Sequence, residues 1–489
     1  MKLNHLLACL TPQMDVPSLE IAEITENSRV CHANALFVCV EGFRADGHLY
    51  AANAYENGCR AFVSQKALSL PDDAFVLQVS NTRIALSRLA CHFYGHPSHQ
   101  LSVIGITGTK GKTTIACMLR QILDQNEIPC GYIGSNGIEF ADKKIETRNT
   151  TPDAITLQKN LRSMVDAGCQ AAILEVSSQA LMQERVHGMR FCGGVFTNLF
   201  SDHIGEGEHK NFQDYMRCKQ RLFAEFDMET MVYNCTDAHA SDMLNNATAR
   251  KKISCAIHAP ADYCARDLLP ERSENHLGMA FQLIHCDEQV NFQLPLIGNG
   301  NVWNGLLAAT VARECFGIPL DKSAHVLKHV EIDGRSQIIP LEYGKLAVID
   351  YAHNGERLRQ LLQYLRDFQP NRLIALFGSV GERTELRRHE LGEAAATHAD
   401  LCILTSDNPG REDPQKILNE IAEAVSKHHT PFVCIVDREE AIRYAIDIME
   451  RGDILVLAGK GHESYQLIGT EKIPFSERDI LLSYEKSTV

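Results

Sequence analysis

The run Gly105-Ile106-Thr107-Gly108-Thr109-Lys110-Gly111-Lys112-Thr113-Thr114 has the residue types of a loop that cradles phosphate. Glycines let backbone N–H groups approach phosphate oxygens, and a helix starting at the end of the run adds positive potential. Lys112 is placed to meet terminal phosphates, and the Thr113 hydroxyl to serve Mg²⁺. The strict G-x-x-x-x-G-K-[ST] pattern puts its first glycine where Ile106 stands, so the match is to a variant, Gly-Thr-x-Gly-Lys-Thr. The competing reading is a glycine-rich turn without a ligand, and the agreement of strand, loop, lysine and threonine weighs against it. Glu175 closes the apolar run Ala171-Ala172-Ile173-Leu174. A carboxylate at a strand's carboxyl edge beside a phosphate loop suits Mg²⁺, although by itself it reads equally well as an ordinary strand-end charge. Asn198-Leu199-Phe200-Ser201-Asp202-His203 adds a second polar cluster near the next strand end. A histidine standing alone there reads as structural.

These residues need a scaffold, and the chain alternates short apolar runs with amphipathic helical lengths, the pattern of α/β architecture. Strands are expected over 35–40, 60–64 and 75–79, with helices over 48–57 and 82–94; Gly95-His96-Pro97-Ser98 then breaks the pattern. A second segment opens with strand 101–107, the glycine-rich loop and a helix over 113–126, and continues through strands 171–176 and 194–198. After Gly334-Arg335 the alternation is very regular: strands 346–351, 372–377, 401–405, 432–436 and 453–457, with helices such as 356–368 and 414–427. Right-handed crossovers make this a mostly parallel, Rossmann-like sheet. The 489 residues thus divide into three α/β domains. A net charge of −14 argues against nonspecific nucleic-acid binding. The 17 cysteines include no C-x-x-C pair, so a zinc ribbon or thioredoxin-type site is not expected. The start Met1-Lys2-Leu3-Asn4-His5 lacks a signal sequence's apolar core, and no run is long enough to span a membrane. Reduced thiols in a cytoplasm are the simplest reading.

From these motifs onward the chain resembles the Mur ligases, the ATP-dependent amino-acid ligases of peptidoglycan synthesis. The resemblance rests on Gly108–Thr114, Thr197-Asn198-Leu199 with Asp202-His203, Lys219-Gln220-Arg221-Leu222-Phe223, Gly298 with Asn301 and Asn304, Gly334-Arg335, and Asp350-Tyr351-Ala352-His353. Asn149–Asp153, Glu175–Leu181, Gln183–Val186, Ser406–Pro409 and Gly459–Glu463 resemble the branch that adds the third residue of the stem peptide. That resemblance implies a UDP-sugar-binding domain at 1–99, a central ATP-binding P-loop domain at 100–335, and a Rossmann-like amino-acid-binding domain at 336–489. It implies ATP and Mg²⁺ as cofactors, UDP-N-acetylmuramoyl-L-alanyl-D-glutamate and a diamino acid as substrates, and a monomer acting in the cytoplasm. Ser28 would contact uridine, and Thr150, Thr151, Ser177, Gln183 and Arg185 would hold the muramoyl dipeptide. Gly108, Thr109, Lys110, Gly111, Lys112, Thr113 and Thr114, with Asn301, Asn304, Arg335, Asp350 and His353, would bind ATP. Lys112, Glu175, His203 and Lys219 would be catalytic; Thr113, Glu175, His203 and a carbamylated Lys219 would hold the metal. Without the resemblance, Lys219 reads as an exposed helix lysine.

The added amino acid is less clear from the residues. Arg383, Asp407, Asn408, Gly410, Gly459 and Glu463 would line its subsite. In diaminopimelate-adding relatives the resemblance implies Asp-Asn-Pro-Arg, with the arginine on the distal carboxylate. Here the run is Asp407-Asn408-Pro409-Gly410, and Arg411 stands one place later. Glycine offers no guanidinium, so L-lysine (or ornithine) is favoured, with Asp407 and Glu463 compensating its ammonium. Diaminopimelate remains the alternative, through Arg411 on a shifted loop. Gly300, Ile204-Gly205 and Asn354-Gly355 also depart from the family pattern, without removing a proposed ligand. Outside this branch, a folylpolyglutamate synthase or the next ligase of the pathway is opposed by the Ser406–Pro409 and Gly459–Glu463 runs. A catalytically silent nucleotide-binding subunit is opposed by Lys112, Glu175, His203 and Lys219.

Overall fold

The computed structural model describes residues 1–487 apart from 12–15, 43–44, 203, 206–207, 333 and 383–384, with backbone alone for 485–487. Its contacts divide into two compact units, Met1–Cys264 with Leu306–Ser323, and Ala265–Gly305 with Ala324–Val489.

The first unit contains two sheets. Strands Glu23–Thr25, Ala35–Val38, Ala61–Ser64 and Phe75–Gln78 pair in parallel, in chain order. In the larger sheet, Ser102–Thr107 lies between Gly193–Phe196 and Ala171–Glu175 and runs parallel to both. Cys130–Gly134 pairs beyond Ala171–Glu175, while Thr230–Asn234 and Lys251–Ile257 extend the other side, all still parallel. Strands covered on both faces read as continuous apolar runs rather than alternating ones. Accordingly Val103, Ile104, Ile106, Ile173 and Leu174 are all fully buried. The helix Lys112–Gln125 presents Ile115, Ala116, Met118, Leu119, Ile122 and Leu123 to the interior, an i, i+1, i+3, i+4, i+7, i+8 stripe.

In the second unit a six-stranded sheet is ordered Gln337–Leu341, Lys345–Asp350, Ile454–Ala458, Leu373–Phe377, Leu401–Leu404, Phe432–Cys434. Only the pairing of the first two is antiparallel. The chain leaves Lys345–Asp350 to form Leu373–Phe377 two places away and returns last to fill the gap. Such an insertion brings several strand carboxyl ends together at one edge, where open α/β sheets bind ligands. Asn354, which departs from the family pattern, caps the following helix Gly355–Arg366 by accepting from Arg357 N–H at 3.0 Å, the role expected of any good N-cap residue.

The expected strands and helices of the regular stretches agree with these elements to within a few residues at their ends. Sequence alone gives no element bounds within 199–333. The structure has the helix Phe212–Ala224 there, two more parallel strands, and the antiparallel pair His276–His285 and Glu288–Leu294. In Glu288–Leu294 only Phe292 and Leu294 are buried, so the run carries little apolar signal. No helix among the described residues is long and apolar enough to cross a membrane.

The second unit contains a deeply buried ion pair between Arg438 and Glu477. Arg438 and Glu477 are 1% and 3% exposed; the guanidinium reaches Glu477 Oε1 at 2.9 Å and also donates to the Ser406 and Ala458 carbonyls, both at 3.0 Å. Removing one partner strands the other charge, at a cost of about 3–5 kcal/mol, whereas an apolar pair of similar volume is tolerated. We predict that Arg438→Met lowers the urea midpoint steeply, and that Arg438→Met with Glu477→Leu recovers most of the loss. A single variant as stable as the unaltered protein would contradict this.

Candidate active site

The glycine-rich loop follows the central strand Ser102–Thr107 and ends at Gly111, the N-cap of Lys112–Gln125. Thr197 Oγ1 donates to the Lys110 carbonyl at 2.7 Å, and Lys110 N–H donates to Asn198 Oδ1 at 2.9 Å, so the next strand's end braces the loop. Thr109 Oγ1 lies 3.1 Å from the Tyr215 hydroxyl and accepts from Phe200 N–H at 3.0 Å. Lys112 and Lys219 both donate to the Gly108 carbonyl, each at 2.8 Å. Lys219 is 2% exposed, with its ammonium 4.6 Å over the Tyr215 ring. It is therefore not the exposed helix lysine that its position alone suggests. Burial, reinforced by the Lys112 charge, pushes its amine well below the usual lysine range.

Glu175 is fully buried at the end of the neighbouring strand. Its Oε1 accepts from the Tyr132 hydroxyl at 2.6 Å and Ser135 N–H at 3.1 Å. A methyl group at Gly134 would collide with both the tyrosine hydroxyl and the carboxylate, so only glycine fits there. Among the described residues Oε2 accepts a single long hydrogen bond, from Ser135 Oγ at 3.3 Å, and keeps capacity for an ion. Carboxylate and hydroxyl oxygens such as those of Glu175 and Thr113 are the donor type Mg²⁺ takes, so these residues fit the ion. A free Lys219 ammonium does not.

The residues expected to hold the muramoyl dipeptide form one connected group. Ser135 Oγ lies 3.0 Å from Thr150 Oγ1. Thr151 Oγ1 donates to the Glu175 carbonyl at 2.7 Å and accepts from Ser177 N–H at 3.0 Å. Arg185 donates to the Thr151 carbonyl at 2.6 Å and to Gln183 Oε1 at 2.7 Å. Ser28 stands apart in the turn Ser28–Val30, its carbonyl accepting from Asn57 Nδ2 at 2.9 Å. Two residues earlier, burial and Asp153 raise the Glu26 carboxyl while Arg83 and Arg185 oppose the rise.

The remaining candidates lie in the second unit, in three groups. Asn304 Nδ2 donates to Asn301 Oδ1 at 3.0 Å. Asp350 accepts from Ser336 N–H at 2.7 Å, and Arg335 lies 5.3 Å over the Tyr351 ring. Burial pushes the Asp350 carboxyl up, against the pull of Arg335. His353 Nδ1 faces the Tyr351 carbonyl at 3.0 Å, and burial, helped by Arg357, lowers its imidazole to about 4. In the third group Asn408 Nδ2 donates to Glu463 Oε2 at 2.8 Å, while the fully buried Lys460 donates to Asn408 Oδ1 at 3.0 Å and Glu463 Oε2 at 3.2 Å. Asp407, its carboxyl raised by burial, lies 3.8 Å from the Lys460 ammonium and beside Gly459. Gly410 is bridged to Ile468, with φ of +59°. His203 and Arg383 lie outside the described residues.

Sequence reasoning missed Lys460, Tyr132, Ser135 and Tyr215. Lys460 lay in plain view between Gly459 and Gly461, and a lysine flanked by two glycines at a strand's carboxyl end is a usable signal. The tyrosines carried none.

Comparison with known proteins gives the family. The sequence patterns of the Mur ligase family catalytic domain, the Mur ligase middle domain and the Mur ligase glutamate ligase domain match residues 20–94, 106–312 and 334–461. The UDP-N-acetylmuramoyl-L-alanyl-D-glutamate--2,6-diaminopimelate ligase of Caldanaerobacter subterraneus subsp. tengcongensis is 36% identical over 95% of both chains. That of Clostridium botulinum is 35% identical over 94% of both. A solved structure of such a ligase superposes with a TM-score of 0.75 at 28% identity, covering 100% of this chain and 99% of the other. The chain belongs to the Mur ligase family, with its three-domain α/β architecture. Within it, the likeness is to the MurE type, and the protein is an ATP-dependent, ADP-forming ligase of peptidoglycan synthesis.

The folded protein keeps His353 neutral down to about pH 4, whereas the unfolded chain takes up that proton near 6.5. Stability that His353 contributes above pH 6.5 is therefore lost as pH falls from 6.5 towards 4. The loss amounts to about 3 kcal/mol. We predict that His353→Gln flattens the stability curve in that window and leaves it unchanged in shape above it, as read by urea unfolding. Parallel curves for the two proteins would contradict the buried, neutral imidazole.

Proposed function

We propose that the protein joins meso-diaminopimelate to the D-glutamate of UDP-N-acetylmuramoyl-L-alanyl-D-glutamate, with ATP and Mg²⁺, as a cytoplasmic monomer. The proposed division of labour is uridine binding by residues 1–99, ATP and dipeptide binding by 100–335, and amino-acid binding by 336–489. The choice of diaminopimelate over the lysine favoured from sequence is supported by the names of the relatives, and chiefly by one observation at Gly410-Arg411. Gly410 sits in the left-handed region, where an arginine would be strained. The next residue, Arg411, is exposed and forms no hydrogen bond or ion pair among the described residues. Asp407 and Glu463, which were expected to balance a substrate ammonium, already share Lys460. One net negative charge remains there, and with Arg411 it complements the zwitterionic far end of diaminopimelate. Lysine would leave the guanidinium unanswered.

Each step then assigns work to the chain's own residues. Thr150, Thr151, Ser177, Gln183 and Arg185 hold the dipeptide so that its terminal carboxylate can attack the γ-phosphorus of ATP. Lys112 and the loop N–H groups neutralise charge on the phosphates, as positioning and electrostatics dominate phosphoryl transfer. Asn301, Asn304, Arg335, Asp350 and His353 serve the nucleotide. Bound Mg²⁺ supplies further neutralisation and would be held by Thr113, Glu175, His203 and Lys219, the last as its carbamate. Lys219 suits that modification because burial, with the Lys112 charge, favours its neutral amine, the form that adds carbon dioxide. The amine of the incoming residue then attacks the acyl phosphate, and phosphate leaves from the tetrahedral intermediate.

The test is ADP release and product mass with each amino acid. We expect diaminopimelate to be joined far faster than lysine. We also expect Arg411→Ala to raise KM for diaminopimelate about tenfold, the worth of one hydrogen bond to a charged group, with little change for lysine. Preference for lysine, or an Arg411→Ala enzyme indifferent to the substitution, would overturn the diaminopimelate reading. No product with any amino acid would overturn the ligase reading at this site.

A further inference from the structure

Two pairs of thiols lie side by side in the first unit, Cys31 with Cys59 and Cys192 with Cys315. Their surroundings differ. Cys31 and Cys59 are 7% and 0% exposed, within an apolar cluster that includes Phe37 and Phe62. Cys59 is held further by hydrogen bonds to the Ala35 and Ala61 carbonyls, both at 3.2 Å. Cys192 and Cys315 are only half-buried. Cys192 lines a cavity of about 940 Å³ with Ser98, Met189, Arg190, Phe226 and Met228 among its walls. This cavity opens at the amino-terminal edge of the parallel strands, the edge opposite the phosphate loop, since Cys192 immediately precedes Gly193–Phe196. It holds many times the volume of a small solute.

The local sequence allows the sulfurs to approach. Cys315 sits in the last turn of the helix Asn299–Phe316, and its Sγ lies 2.9 Å from where a side chain on Gly193 would begin. A larger residue beside Cys192 would displace it. The Cys315 S–H donating to Cys192, together with the Arg190 charge, holds the Cys192 thiol below its ordinary range despite burial, and pushes the Cys315 thiol up. A thiolate-prone sulfur beside a protonated partner is the division of labour found in attacking and resolving cysteines.

We infer that Cys192 and Cys315 form a reversible oxidation site, in which Cys192 reacts with a small hydroperoxide entering the cavity and Cys315 resolves the product to an intramolecular disulfide. In the first step the Cys192 thiolate attacks a peroxide oxygen; the O–O bond breaks, and hydroxide leaves, giving a sulfenic acid. In the second, Cys315 attacks that sulfur; the S–S bond forms, the S–O bond breaks, and hydroxide departs as water with the Cys315 proton. Two thiols lose two electrons in all, and the peroxide is reduced to two waters. The site is separate from the ligase chemistry and does not depend on which amino acid is added.

The reduced full-length protein is treated with stoichiometric hydrogen peroxide, alkylated, and mapped by mass spectrometry. We expect two of the 17 thiols to be lost together as one crosslink between the Cys192 and Cys315 peptides, two hydrogens lighter and reversed by dithiothreitol. Its formation should outpace oxidation at every other cysteine by about tenfold: thiolate fraction separates Cys192 from the ordinary thiols, and access from the cavity separates it from the sealed Cys59, whose thiol is lowered as well. Cys315→Ser should trap Cys192 as a sulfenic acid reactive to dimedone, and Cys192→Ser should leave Cys315 unoxidised. The inference is overturned if all thiols stay reduced, if Cys31 and Cys59 oxidise as fast, or if Cys192 passes to sulfinic acid with Cys315 present. The crosslink map of the unaltered protein decides the matter even where a variant fails to fold.

Discussion

The carbonyl oxygen of Gly108 accepts from two lysines at once, Lys112 and Lys219, each at 2.8 Å. Two ammonium groups on one acceptor, one of them sealed from water, repel each other in a medium that screens poorly. The arrangement is relieved if Lys219 gives up its proton, and burial drives it that way. Much of the first unit serves to hold this geometry. The helix Phe212–Ala224 carries Lys219 in, Tyr215 on the same helix supplies a ring beneath the amine and a hydroxyl near Thr109, and Thr197 and Asn198 clamp the loop from behind.

The same logic of enclosed charge recurs in the second unit, with a different solution. There Lys460 is also fully buried, but it is surrounded by Asn408, Glu463 and Asp407. One buried lysine is met by carboxylates and the other by a second cation, which together with burial drives Lys219 towards neutrality. Both amines lie at the carboxyl edge of a parallel sheet, the edge where open α/β folds bind ligands. In each case the chemistry available to the amine is set by what the adjoining strand ends bring to it.

Legibility from sequence followed the range of the interaction. The phosphate loop could be read because its glycines, lysine and threonine are consecutive and each type is demanded by phosphate. The parallel strands could be read because burial on both faces leaves runs such as Ala171–Leu174 and Leu373–Phe377 with no polar interruption. Lys219 could be read only through resemblance, since its partner Gly108 is 111 residues away. The hydrogen bond from Tyr132 to Glu175 spans 43 residues, and that from Lys460 to Asn408 spans 52; nothing local marks either. Gly410 has two readings. Read as a missing guanidinium it points to lysine, while its left-handed backbone gives the glycine a conformational reason that no local sequence signal shows.

The most direct test of this account is whether Lys219 carries a carbamate. The protein is equilibrated with ¹³C-labelled bicarbonate at mildly alkaline pH and its carbonyl region recorded by NMR. The account predicts one protein-bound carbamate signal, absent from Lys219→Arg and lost on acidification. No signal from an enzyme that still turns over ATP with muramoyl dipeptide and amino acid would contradict it, because Lys219 would then be acting as a plain amine.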